Sequence, residues 1–130
     1  MPFPSKEYIA WCIDHREELP EWVPLRVGDM FIDEEERVSV MTQALADMLN
    51  PPPIAHRPKD WYWLPRPDQL IEMLEDRGAA NWEVCVDGPG YRCMTPMLID
   101  DDIKYIVKFA PDPAIALGEA LLEVMKGGQR

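Results

Sequence analysis

Positive charge is scarce in this sequence: 13 lysine and arginine residues stand against 24 aspartate and glutamate residues, giving a net charge of −11. The basic residues are divided almost evenly between the two halves of the chain and form no cluster. Binding of nucleic acid or of an anionic membrane surface requires clustered basic side chains, which displace counterions and complement the negative charge. The composition therefore predicts neither direct binding of nucleic acid nor attachment to a membrane.

Long apolar runs and a cysteine framework are also missing. The longest apolar stretches, such as Met97 to Ile99 and Ala114 to Leu117, are far shorter than a membrane span. The 3 cysteines are irregularly spaced, and an odd number of cysteines is typical of a reducing compartment. The first residues lack the apolar core of a signal peptide. We therefore expect a cytoplasmic protein.

A chain of this length does not need a disulfide or a metal to be stable. It has 130 residues, of which 47% are hydrophobic, and a domain of this size buries roughly two-thirds of its unfolded surface. We therefore expect a single domain spanning residues 1–130. The sequence has 14 prolines, and those at Pro51, Pro52, Pro53 and Pro58 predict an exposed loop of polyproline character at residues 50–60.

Capping residues predict four helices. Ser5 and Asp112 are suitable N-caps, because a side-chain oxygen can accept a hydrogen bond from a free N–H group in the first turn. Proline near the first turn and glycine just after the last turn mark the longer helices. The predicted helices begin after Ser5, extend over Gln43–Leu49 and Pro67–Arg77, and run from Pro113 to Gly127.

Alternating apolar residues predict about five strands. Residues 82–86 and 91–94 flank the turn residues 87–90, which predicts a hairpin. Residues 103–109 alternate in a way that predicts one better-buried face. The remaining strands are Met30–Ile32 and Val38–Met41, which predict a second hairpin, and Trp61–Leu64 is predicted to be a short extended piece. The predicted fold class is α+β, with an antiparallel sheet of about five strands packed against three to four helices in a layered sandwich.

Part of the chain resembles the phage ABA-sandwich domain found in small uncharacterised phage and prophage proteins. The resemblance covers residues 61–126 and depends on the helix entry Leu64–Leu70, on the order strand, hairpin, strand, and on the final helix segment Asp112–Leu122. It implies a sheet between helical layers and a protein of a mobile element. The family has no assigned activity, so the resemblance implies no catalytic residues.

Consecutive aromatic residues at Trp61, Tyr62 and Trp63 are the candidate partner-binding site, with Arg57 and Arg66 on either side. In an extended chain Trp61 and Trp63 share one face and Tyr62 takes the other. One interpretation is that the tryptophans close the edge of the core. The other is a docking surface for a protein, because Trp, Tyr and Arg are enriched at binding hot spots.

The sequence contains no recognisable catalytic, cofactor-binding or metal-binding motif. Cys12 and His15 are three residues apart on a predicted helix, but a zinc site would need two more ligands. If Val86 lies opposite Tyr91, then Cys85 and Cys93 point to opposite faces of the hairpin, which argues against a shared metal or a disulfide. We treat the acidic runs Asp33–Glu36 and Asp100–Asp102 as charged turns, because neither has the pattern of a calcium loop.

These observations predict a small acidic accessory protein, phage-related, that binds an unidentified protein partner and needs no cofactor. Two alternatives stay open: a DNA mimic that inhibits a nucleic-acid-binding protein, and a small enzyme whose site is assembled from scattered acids. An interaction module would expose an apolar patch larger than a few hundred Å². A DNA mimic would instead carry rows of carboxylates at phosphate spacing. The sequence determines neither the partner nor the oligomeric state.

Overall fold

The computed structural model describes residues 3–20, 26–49, 60–79 and 81–127. The predicted proline loop at 50–60 lies outside the described residues, apart from Asp60. The chain divides into two compact units. We call residues Ile9–Arg66 the N-terminal unit, and residues Met1–Tyr8 together with Pro67–Arg130 the C-terminal unit.

The N-terminal unit contains a small antiparallel sheet. The first helix, α1 (Lys6–Asp14), crosses the division between the units. The sheet has the order β2-β1-β3 and is built from β1 (Met30–Ile32), β2 (Val38–Val40) and β3 (Tyr62–Leu64). Helix α2 (Gln43–Leu49) follows β2. The core cluster contains Phe31, Met41 and Ala46, against which Leu45, Leu49, Trp61 and Trp63 pack.

The C-terminal unit contains a larger antiparallel sheet and two helices. The sheet has the order β4-β5-β6 and is built from β4 (Glu83–Asp87), β5 (Gly90–Ile99) and β6 (Asp102–Ala110). Helix α4 (Pro113–Gly127) packs against all three strands, and α3 (Pro67–Asp76) packs against α4. Helix α4 is buried along most of its length, as expected for a helix that packs against other elements on more than one side.

The α+β class is confirmed, but the expected single sheet of about five strands is wrong. The described residues contain six strands in two sheets of three. Each sheet pairs strands that are close in the chain, except for β3, which returns to β1. In addition, β5 continues through Pro96 to Ile99, beyond the end that was predicted for this strand at residue 94. The pairing of β5 with β4 ends at Met94, so at Pro96 the side of β5 that faced β4 is unpaired. Proline is tolerated there because no backbone N–H group is needed for pairing on that side.

Tight turns set the register of the C-terminal sheet. Asp100 and Asp101 both have positive φ, 53° and 64°, as required for the two-residue type I′ turn that joins β5 to β6. The turn from β4 to β5 has Gly88 at φ 59°. A Cβ atom on Gly90 would lie 2.6 Å from the carbonyl oxygen of Ala110, so glycine allows the close approach of these two strands. The predicted hairpin of β4 and β5 is confirmed, and Val86 lies opposite Tyr91 in it.

The predicted caps of α1 and α4 are confirmed and are connected to each other. The Ser5 hydroxyl accepts a hydrogen bond from the Tyr8 N–H group at 3.1 Å. The Asp112 carboxylate accepts one from the Ala114 N–H group at 2.8 Å. Ser5 also donates its hydroxyl hydrogen to the other carboxylate oxygen of Asp112, at 2.5 Å. One pair of side chains therefore caps two helices that begin 107 residues apart.

Candidate functional site: an exposed apolar sheet face

The two faces of the β4-β5-β6 sheet differ in burial. Cys93, Thr95 and Ile106 lie on the face that is covered, with 0%, 0% and 9% of their surface exposed. Helix α4 packs on this sheet and provides a surface rich in Ala, Leu and Ile. Because side chains alternate along a strand, the residues next to these three point to the opposite face.

The opposite face carries a row of exposed apolar side chains on β6. The exposed fractions are 61% for Ile103, 64% for Tyr105, 39% for Val107 and 66% for Phe109. Leu98 of β5, which pairs with Ile103, is 69% exposed. We call these five residues the β6 face. The strand does have one better-buried face, as its alternation predicted. The buried face is the one that carries Ile106 between Lys104 and Lys108, and the more apolar row is exposed.

The β6 face is large for the surface of a small protein. From Ile103 to Phe109 the row is about 20 Å long at the usual rise of an antiparallel strand. With roughly 150–250 Å² for each large side chain, the five exposed fractions correspond to roughly 600 Å² of exposed surface. Met94 and Pro96 of β5 lie beside the row and are half-buried, so they continue the apolar surface. The patch therefore reaches the upper end of what single-chain soluble proteins commonly expose.

Charged side chains border the β6 face on the β4 side. Arg92 lies opposite Phe109 on one side and opposite Cys85 on the other. Its guanidinium lies 3.7 Å from the Glu83 carboxylate and 3.9 Å from the Asp87 carboxylate, and it donates a hydrogen bond to the Cys85 sulfur at 3.3 Å. The contact with Cys85, followed by the two carboxylates, raises the pKa of Arg92 above its usual value. An apolar centre with a charged rim is the usual composition of a protein interface.

The tryptophans of the predicted aromatic site pack within the N-terminal unit. Trp61 stacks on Phe31 with 4.5 Å between ring centroids and donates its indole N–H to the Glu34 carboxylate at 2.6 Å. Trp63 pairs directly with Phe31 across the sheet. Both tryptophans are half-buried against the core cluster. They share one face of the strand, as the extended pattern predicted.

The remaining residues of that predicted site have contacts of their own. The Arg16 guanidinium lies 5.2 Å from the centre of the Tyr62 ring. Arg66 donates a hydrogen bond to the Gly28 carbonyl oxygen at 2.7 Å and lies 3.7 Å from the Asp29 carboxylate. Arg57 lies outside the described residues. A partner-binding role for Trp61, Tyr62, Trp63, Arg57 and Arg66 stays a prediction.

The cysteines do not come together. Cys85 and Cys93 pair with Arg92 and Val84, so their side chains lie on opposite faces of the hairpin, as the predicted register required. Cys12, Cys85 and Cys93 all lie within the described ranges and form no disulfide, and Cys12 and Cys93 are buried. Burial raises the pKa of the Cys93 thiol to about 11. Within the described ranges no three His, Cys, Asp or Glu side chains are grouped as they would be to hold a metal ion.

His15 and Asp33, two other candidates for chemistry, have structural partners. His15 Nδ1 lies 3.0 Å from a Glu18 carboxylate oxygen, and its ring lies 4.6 Å from that of Trp11. The Asp33 carboxylate accepts hydrogen bonds from the N–H groups of Glu35 and Arg37, both at 2.9 Å. The backbone hydrogen bond from Arg37 is the main cause that lowers the pKa of Asp33. The predicted acidic turn is therefore organised around its first carboxylate.

Sequence reasoning identified the strand at residues 103–109 but did not identify its apolar row as a surface. The row alternates with Lys104, Ile106 and Lys108, and this pattern alone favours burial of the more apolar side.

In the described part of the chain no helix is long and apolar enough to cross a membrane. Comparison of the sequence and structure with protein-family models, with curated proteins and with solved structures found no match.

Proposed function

We propose that this protein acts by binding a protein rather than by catalysing a reaction, and that the β6 face is its binding surface. The observation that carries the proposal is the row of apolar side chains on β6, each 39–66% exposed, with Leu98 beside it. Water contact with such a row is unfavourable, and covering it provides the main driving force for protein association.

The free energy gained by covering the β6 face is of the same size as the free-energy cost of association. Covering roughly 600 Å² of apolar surface contributes up to roughly 15 kcal/mol at about 25 cal/mol per Å². Lost translational and rotational freedom costs about 4–15 kcal/mol. The two terms are comparable, so a partner must cover most of the face to bind stably. The accessory role in a phage or prophage that we propose depends on the resemblance of residues 61–126 alone.

Affinity capture tests this function, using a nuclease-treated lysate of host cells that also express an untagged copy of the chain, so that either a host protein or a second copy can be retained. The tagged chain is compared with the double variant Tyr105→Ser/Phe109→Ser, which keeps the strand but removes two aromatic rings from the face. Lys104→Ser is the matched control, because Lys104 is an exposed residue of the same strand on the opposite face. We expect the wild-type chain and the control to retain a protein that the double variant loses, at low and at high salt.

Other outcomes distinguish the alternatives. A basic nucleic-acid-binding protein that is lost at high salt but retained by the double variant would contradict the proposed surface and favour the DNA-mimic function. A protein lost only when Trp61 and Trp63 are replaced by alanine would move the binding site to the aromatic segment. Capture of the same proteins by all variants would contradict both surfaces.

A further inference from the structure

We infer that the protein covering the β6 face is a second copy of this chain, in a two-fold dimer that packs the two β4-β5-β6 sheets face to face. This inference rests on the proposed function, since it identifies the partner of the same surface. It is argued from the area of the face, from its charge and from its shape.

The area meets the requirement of a dimer. A two-fold contact uses the same patch on both copies, so the area buried is twice that of one face. Two faces of roughly 600 Å² give roughly 1,200 Å², which lies at the lower limit of specific, stable protein interfaces. Edge-to-edge pairing of β6 would leave both apolar faces in water, whereas face-to-face packing at about 10 Å covers both of them.

The charge of the face favours a second copy over a basic partner. The chain has a net charge of −11, so electrostatic complementarity with another protein would place carboxylates at the contact. The β6 face has none: its residues are Leu98, Ile103, Tyr105, Val107 and Phe109. Glu83 and Asp87 lie on β4, at the border, where Arg92 is close to both. Two acidic chains can therefore approach each other at this face without bringing unpaired carboxylates into the centre of the contact.

The shape of the row is suited to contact with itself. Val107 is 39% exposed and lies between Tyr105 and Phe109, which are 64% and 66% exposed. The small side chain thus forms a low position between two rings that stand higher. In a two-fold contact an aromatic ring of each copy packs over Val107 of the other, and aromatic side chains packed in this way are the usual anchors of an interface.

Sedimentation velocity of the full chain tests the dimer at concentrations up to about 100 μM, which reveals dissociation constants in the micromolar range. We expect a species of twice the 15.0 kDa chain mass. The dissociation constant should fall as salt is added, because salt screens the repulsion between two acidic chains. The double variant Tyr105→Ser/Phe109→Ser should weaken the dimer about tenfold or more, a change of at least about 1.4 kcal/mol.

Lys104→Ser is again the matched control and should leave the dimer unchanged. Leu98→Ser, at the other end of the face, is the second variant and should weaken the dimer as well; circular dichroism establishes that each variant is folded. A monomer at all concentrations, or a dimer that none of the face variants weakens, overturns the inference. If the wild-type chain is monomeric but captures a lysate protein that the double variant does not capture, the dimer is overturned and the proposed function is supported. A monomer that captures nothing through this face contradicts both.

Discussion

At the scale of single residues, Thr95 is a buried polar group that weakens the core of the C-terminal unit. It is 0% exposed on the covered face of β5, where its backbone partner on β6 is Ile106. Its hydroxyl oxygen has no hydrogen-bond partner within the described residues. A buried hydroxyl without a partner costs about 1–3 kcal/mol of desolvation that nothing offsets.

We therefore expect Thr95→Val to raise the free energy of unfolding by about 1 kcal/mol, since valine keeps the shape and removes the hydroxyl. Urea denaturation measures the change. Thr42→Val is the control with the opposite sign, because the exposed Thr42 hydroxyl accepts a hydrogen bond from the Leu45 N–H group at 3.2 Å. A loss of stability in Thr95→Val would mean that the hydroxyl has a partner in solution.

At the scale of secondary-structure elements, the ends of α1 and α4 depend on each other. Asp112 is buried, with 7% of its surface exposed. Its carboxylate accepts hydrogen bonds from the Ala114 N–H group and from the Ser5 hydroxyl. Both helices start where a side-chain oxygen satisfies a free backbone N–H group. Sequence reasoning found both caps because capping is local, but the hydrogen bond between the caps depends on the tertiary structure.

Replacement of either cap by alanine should lower the free energy of unfolding by about 1–2 kcal/mol. In a double-mutant cycle, Ser5→Ala and Asp112→Ala should also show a coupling energy of about 0.5–1 kcal/mol, because each single variant already removes the shared hydrogen bond. Urea denaturation of the four proteins gives the cycle. Glu7→Ala, at an exposed acidic residue in the first turn of α1, is the control and should cost less. Strictly additive losses would show that the hydrogen bond between the caps contributes nothing.

At the scale of the whole molecule, the stability of the fold should depend on alkaline pH through Cys93. Burial raises the pKa of this thiol from 9.0 to about 11, so the folded state disfavours the thiolate. The stabilising contribution of the neutral thiol is complete below the unfolded pKa and is lost as pH rises from about 9 to about 11. The difference between the folded and unfolded pKa corresponds to about 2–3 kcal/mol of unfolding free energy, at about 1.36 kcal/mol for each pKa unit.

Denaturation of the wild-type chain between pH 8 and pH 11 measures this loss, and Cys93→Ala is expected to start less stable but to lose less stability over the same range. Tyrosine and lysine residues titrate in both proteins, so the difference between the two curves isolates the thiol. Val84→Ala, which shortens the half-buried and non-titrating side chain paired with Cys93, is the control and should follow the wild-type slope. Parallel curves for Cys93→Ala and the wild type would contradict the effect of burial.

Local features of this protein follow from its amino-acid sequence alone. The predictions included the capping residues Ser5 and Asp112, the end of α3 near Gly78 and the hairpin of β4 and β5, because each depends on residues within a few positions of one another. The predicted end of β5 at residue 94 was wrong: the strand continues through Pro96 to Ile99, because the proline lies where the pairing with β4 has already ended.

The buried face of β6 and the division of the strands into two sheets depend instead on long-range packing. Alternation shows that a strand has two faces, but the position of α4 selects the one that is covered. Here α4 packs on the sheet, the side of Cys93, Thr95 and Ile106 is buried, and the more apolar row is in water. The β6 face is therefore a property of packing between elements that are distant in the chain, which no local pattern of residues specifies.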